Sequence, residues 1–186
     1  MKKRTEFMIW AEEQHDVVCN QKYDKTLPYS FHLERVVDFV DKFLYLIPND
    51  IIENTQNFQS VPVELHTILR DAAYGHDLIE DARVTYNDIV ELAGNIYENT
   101  VAGRLLADII YNCTELRGKN RKERHGEKYL NDLISSPSSL FVKLCDIQAN
   151  VSYGVMTNSS MVKKYRQEYD EILVPVLYDP ELDDIF

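Results

Sequence analysis

The stretch Ala72 to Tyr86 (AAYGHDLIEDARVTY) sets His76 and Asp77 side by side and follows them, one helical turn later, with Glu80 and Asp81. His76 to Glu80 and Asp77 to Asp81 are both i, i+4 pairs, so on a helical element the four groups fall along one side. Adjacent residues diverge by about 100° on a helix, and both reach one ion only where the helix ends or bends. Four titratable groups among Ala, Tyr, Leu and Ile are costly to bury without compensation. A divalent cation supplies it, because it neutralises carboxylates and binds neutral imidazole.

Two more residues complete a ligand set. Asp146 lies in the apolar helical text Leu140-Phe-Val-Lys-Leu-Cys-Asp-Ile, where an unpaired carboxylate is expensive. His32 opens a helix after Pro28-Tyr29. Two imidazoles and two carboxylates form a mixed nitrogen and oxygen site that leaves positions for water and suits Mn²⁺, Fe²⁺ or Zn²⁺. A metal-bound water of lowered pKa is then the expected nucleophile, with Glu80 and Asp81 placed to handle protons. Each residue taken singly has a plain explanation: a chance His-Asp pair, a helix-end histidine, a capping aspartate. Their order along the chain is what joins them.

The elements that must position these groups are helical. Phe7, Trp10, Ala11, Gln14, Val17 and Val18 share one face of a predicted first helix. His32 to Ile47 repeats Leu33, Val36, Val37, Val40, Phe43, Leu44 and Ile47 before Pro48 stops it. Val63 to Tyr74 is entered at Pro62, and Thr85 with Asp88 reads as a capping box. Further helices are predicted over 96–113, 121–134, 138–153 and 162–173. Strand alternation with hairpin turns is not evident. An all-α bundle of roughly seven to nine helices follows, as one domain over residues 1–178 with an acidic tail, Asp179 to Phe186.

Composition narrows the partners. The start Met1-Lys2-Lys3-Arg4 is followed by an apolar run too short for a signal core, and no segment approaches the roughly 20 apolar residues of a membrane span. A soluble, cytoplasmic protein is expected. Cys19, Cys113 and Cys145 form no CxxC pair, which argues for free thiols rather than disulfides or a thiolate zinc site. A net charge of −11 opposes binding to a nucleic-acid polymer. Six of the 20 basic residues nevertheless crowd between Arg117 and Lys128. They make either a solvated helix face or an anion cradle sized for a few phosphates.

The local text is similar to known motifs. Histidine, His-Asp pair and later aspartate is the order of the HD phosphohydrolase superfamily. Pro28-Tyr29-Ser-Phe-His32 resembles its "PY-x-x-H" segment, and His76-Asp77-Leu-Ile-Glu80-Asp81-Ala-Arg-Val-Thr85 resembles the "HD-x-x-ED-x-x-VT" signature of alarmone hydrolases of the RelA/SpoT type. Val142-Lys143-Leu-Cys-Asp146-Ile-Gln-Ala-Asn150 resembles "VKLAD-x-x-x-N", and Gly118-Lys-Asn-Arg121-Lys-Glu-Arg124 resembles "GKNRKER". The resemblance implies a helical fold and a divalent metal, often Mn²⁺, on His32, His76, Asp77 and Asp146. It implies catalytic Glu80 and Asp81, and hydrolysis of the bond between a guanosine 3′-oxygen and its pyrophosphate. Asn150 would face the nucleoside; Lys143, Arg121 and Arg124 would meet phosphate. Tyr23 stands where the alarmone hydrolases stack an arginine on guanine, and Gly75 where they carry an apolar residue. Gln21 alone represents their "AH-x-GQ", with His15 displaced by three residues and therefore left outside the expected site. The competing expectations are an HD hydrolase of another nucleotide or phosphoester, and a sensor that binds a nucleotide without turnover.

Overall fold

A computed structural model describes residues 4–47, 51–52, 62–115 and 127–170. They form an all-α bundle, as expected. Its helices are α1 (Glu6–Glu12), α2 (Ser30–Phe43), α3 (Leu65–Gly75), α4 (Leu78–Asp81), α5 (Tyr86–Ile96), α6 (Thr100–Cys113), α7 (Glu127–Ile134), α8 (Pro137–Met156) and α9 (Met161–Glu168). None of them is long and apolar enough to cross a membrane.

Helix α3 is the centre. Ile68, Leu69, Ala72, Ala73, Tyr74 and Gly75 are all buried, because α1, α2, α6 and α8 pack around it. Its polar residues His66, Thr67 and Arg70 are half-buried on one side, and the small and apolar remainder takes the interior position. Gly75, at its last turn, allows α3 to press against its neighbours. A Cβ there would lie 2.7 Å from Ile110 Cδ1 and 3.0 Å from Phe7 Cε1. The chain's three cysteines are free; Cys113 and Cys145 are buried, and burial pushes both thiols up to about 12.

Local signals hold where they rest on capping. Thr85 and Asp88 form the full capping box of α5. Pro137 opens α8 behind the Ser136 cap. Three expectations are corrected. The first helix does not carry one face to Val18: α1 widens after Glu12 into a π-helical turn, Glu13–Val18, closed by the Cys19 N–H on the Gln14 carbonyl. That turn leaves Val17 and Val18 exposed and rotates His15 into the interior, a change of register invisible to a 3.6-residue period.

The helix expected over 96–113 starts four residues later, at Thr100. Helix α5 stops at Ile96, Glu98 takes a left-handed φ of 50°, and the Asn99 side chain accepts from the Val101 and Ala102 N–H groups to start α6. Where α6 crosses α5, a Cβ on Gly103 would lie 2.5 Å from the Gly94 backbone nitrogen, so the two backbones meet directly. Two short antiparallel ladders also occur, Lys22–Tyr23 with Leu27–Pro28 and Ile51–Ile52 with Val63–Glu64, which delays α3 to Leu65. Two residues per strand carry no alternation to detect. The expected helix from Arg121 is described from Glu127 onward, and the expected end of the last helix and the acidic tail lie outside the described residues.

One buried carboxylate ties the layers together. Asp71 on α3 accepts a hydrogen bond from Thr5 Oγ1 at 2.5 Å and another from Tyr97 OH at 2.5 Å. Burial raises its pKa to about 6, against the opposing effect of those two hydroxyls. A carboxyl whose folded value exceeds its unfolded one binds its proton more tightly in the native state. Its contribution is therefore complete below about pH 4 and is lost as pH rises through 6. Between pH 4 and 7 the wild type should lose about 2 kcal/mol of stability relative to Asp71→Asn, read from denaturant unfolding of both proteins. Parallel pH profiles would show that Asp71 does not titrate in this range.

Candidate functional site

The last turn of α3 ends at Gly75 and the chain bends through His76 and Asp77 before α4 begins. This break lets neighbouring side chains converge. His76 Nδ1 lies 2.9 Å from the Ala73 carbonyl and donates to it, which turns Nε2 toward the carboxylates; burial opposes a charged ring there, but Asp77 and Asp146 hold its pKa well above the ordinary imidazole value. Nε2 is buried and makes no aligned hydrogen bond, although Asp77 Oδ2 stands at 2.9 Å and Asp146 Oδ1 at 3.6 Å. His32, from the first turn of α2, brings its Nε2 to 3.1 Å from Asp146 Oδ1. His32, His76 and Asp77 each offer one ligand atom, all within 4.8 Å of one another. An orphaned imidazole nitrogen facing two carboxylates and a second imidazole is the donor set that a divalent cation accepts.

The electrostatics are those of a concentrated charge cluster. Burial pushes the Asp77 carboxyl up, but the His76 imidazole outweighs it and holds the group below the ordinary range. Burial opposes ionisation of Asp146 as well, and is overcome by Lys143 first and His76 second. The Lys143 ammonium lies 3.2 Å from Asp146 Oδ2, one turn along α8, and stays charged because of it.

Around these ligands lies a polar shell. Tyr29 OH donates to Asp77 Oδ2. Asp16, from the π-helical turn, accepts from the Tyr29 and Ser30 N–H groups at 2.7 and 3.2 Å, which anchors the start of α2 and the tyrosine with it. Asn150 Nδ2 donates to Asp146 Oδ1 at 2.7 Å, and its Oδ1 accepts from Tyr23 OH at 3.0 Å. The Tyr23 ring stacks on His32, with centroids 5.0 Å apart and planes 13° from parallel.

All of this opens on a cavity of about 260 Å³, lined by Tyr23, Tyr29, His32, Asp77, Glu80, Asp81, Glu115, Lys143, Asp146, Ile147, Asn150 and Tyr165. Glu80 and Asp81, from α4, stand at its solvent side. The cavity wall and the Asp77 charge raise both carboxyls above their ordinary range. Glu80 also accepts from the Glu115 N–H at 3.3 Å, and Asp81 from Gln21 Nε2 at 2.7 Å. Carboxyls raised by burial and by a neighbouring charge, beside a cluster that could hold a metal ion, are candidates for proton transfer.

Of the residues singled out in the sequence, His32, His76, Asp77, Asp146, Glu80, Asp81, Lys143, Asn150 and Tyr23 come together here. Arg121 and Arg124 lie outside the described residues. Tyr23 and Asn150 spend their polar groups on each other and on Asp146. Missed were Tyr29, Glu115, Tyr165 and the buried His15. Tyr29 was legible as part of the Pro-Tyr pair, and Glu115 and Tyr165 reach the cavity through helix packing that no spacing announces. A scan against protein-family models finds no match, and no curated protein and no solved structure matches the chain either.

Loss of an outer hydrogen bond to a ligand typically weakens a metal site by about 10–100-fold. For a divalent cation held by this cluster, Asn150→Ala should therefore lower affinity by at least about tenfold, measured by calorimetric titration, while the helical circular dichroism stays unchanged. Unaltered affinity would show that Asn150 does not orient Asp146.

Proposed function

We propose that this chain is a metal-dependent phosphohydrolase acting on a nucleotide, with removal of pyrophosphate from a guanosine polyphosphate alarmone as the leading reaction. What supports it most is one observation: two buried imidazoles, the buried Asp146 carboxylate and the partly buried Asp77 carboxylate at the base of a cavity whose rim carries Glu80 and Asp81. His32, His76, Asp77 and Asp146 would hold the ion, with Mn²⁺ the first choice and Fe²⁺ or Zn²⁺ compatible with the same donors. When bound, such an ion lowers the pKa of a water and polarises a phosphoryl oxygen.

The chain's own groups supply the rest. Glu80 and Asp81, both raised, accept a proton from the attacking water and return one to the leaving oxygen. Lys143 keeps positive charge beside the reacting phosphate while it neutralises Asp146. The polar wall suits a phosphorylated ligand, and 260 Å³ is room for part of a nucleotide with the remainder in solvent. The acidic rim formed by Glu80, Asp81 and Glu115 disfavours a free polyanion, a repulsion that a cation held by the four ligands would offset.

Asp77→Ala should lose metal and turnover together. Glu80→Gln should keep metal and lose about 10²–10⁴-fold in kcat. The substrate is found by incubating Mn²⁺-loaded protein with a panel of nucleoside polyphosphates and identifying released phosphate or pyrophosphate. Pyrophosphate from a 3′-substituted guanosine nucleotide supports the leading reaction. Full activity in both variants would sink the mechanism, and tight binding of a nucleotide with no release from any would replace the hydrolase with a sensor.

A further inference from the structure

His15 is fully buried, yet it lies on no face that periodicity would bury. The π-helical turn puts it there, with its ring against Tyr29 at 4.9 Å between centroids. Its Nδ1 lies 2.6 Å from Gln21 Oε1. The Gln21 backbone N–H also returns to the His15 carbonyl at 2.8 Å, after Asn20 turns the chain with a left-handed φ of 47°. Gln21 is thus tied to His15 twice, and its Nε2 is directed at Asp81 Oδ2 at 2.7 Å.

The donors run in one direction only. An ionised Asp81 accepts, so the Gln21 amide must turn its NH₂ to the carboxylate and its oxygen to His15. His15 must then carry its proton on Nδ1. Its Nε2 is left buried without a hydrogen-bond partner. Burial lowers the imidazole pKa and so favours the neutral ring, and the Gln21 oxygen selects its Nδ1–H tautomer. A buried, half-satisfied imidazole costs stability that a phenylalanine would not. Packing does not explain it; orientation of Gln21 does.

We infer that His15 and Gln21 are positioning residues that fix one oxygen of Asp81 and so hold its other oxygen toward the cavity. The inference rests on the role given to Asp81 under the proposed function. A carboxylate on a one-turn helix at the solvent edge would otherwise rotate freely, and a proton-transferring group gains from having its rotamer fixed before substrate arrives.

The test uses the full chain loaded with Mn²⁺ and whichever nucleotide is turned over. Gln21→Leu and His15→Phe should each lower kcat about tenfold with KM and Mn²⁺ affinity unchanged. The double variant should be no worse than either single one, because the two act in series. His15→Asn, which keeps an N–H donor near the place of Nδ1, should regain most of the loss. Gln21 is only half-buried, so its variant remains informative if His15→Phe fails to fold. An independent readout needs no turnover: ¹⁵N spectra should show His15 as the Nδ1–H tautomer with a slowly exchanging proton, and Gln21→Leu should abolish that protection. Wild-type kcat in folded variants, or an Nε2–H tautomer, would overturn the relay. If no nucleotide is hydrolysed at all, the hydrolase proposal fails by itself, and the imidazole spectrum still decides the relay.

Discussion

Asp146 carries a carboxylate into the interior of a helical bundle, and the cost of doing so shapes what surrounds it. The group is almost wholly enclosed, with His32, His76, Lys143 and Asn150 all within reach of its oxygens. An isolated charge in such a place would cost several kcal/mol or give up its ionisation. Each neighbour comes from a different constraint on the fold: His32 from the first turn of α2, His76 from the end of α3, and Lys143 and Asn150 from one turn either side on α8. The three helices must therefore keep their spacing to within the length of a hydrogen bond. Gly75 matters for the same reason, since a side chain there would press on Ile110, Phe7 and Leu78 at the end of α3.

Much of this was legible in the residues themselves. The helical class followed from the spacing of apolar positions, and the expense of charged groups in apolar text pointed to Asp146 and the His76–Asp77 pair. The order of motifs supplied His32. What periodicity could not supply was any local departure from the α-helix. The π-helical turn reverses the fates of His15 and Val17–Val18, because one extra residue per turn rotates the following side chains by most of a right angle. Glu98 and Asn99 set the start of α6 at Thr100 rather than at Ile96, and only the backbone dihedrals reveal it. Asp24 and Lys25 make a hairpin turn with left-handed residues and no glycine, so the usual turn signature is missing.

Tyr23 shows how a position can be found and its work still be open. The sequence offers a ring where a base-stacking cation is expected. Here one face of that ring lies on His32, Tyr153 and Phe31 are close neighbours, and the hydroxyl is held by Asn150. A ring so held orients the His32 imidazole, and Tyr165 from α9 adds a second aromatic ring to the same cavity wall.

The contact of Gly94 with Gly103 has a bearing on how the chain reaches this arrangement. Helices α5 and α6 are joined by only three residues, each helix has its own side-chain cap, and their backbones touch at the two glycines. Contacts so close in sequence cost little loop-closure entropy and need nothing from the remainder of the molecule. His32, His76 and Asp146 are separated by 44 and 70 residues, the differences of their positions in the chain. The hairpin is the piece that can nucleate first, and the charged centre is assembled only when distant segments close upon it.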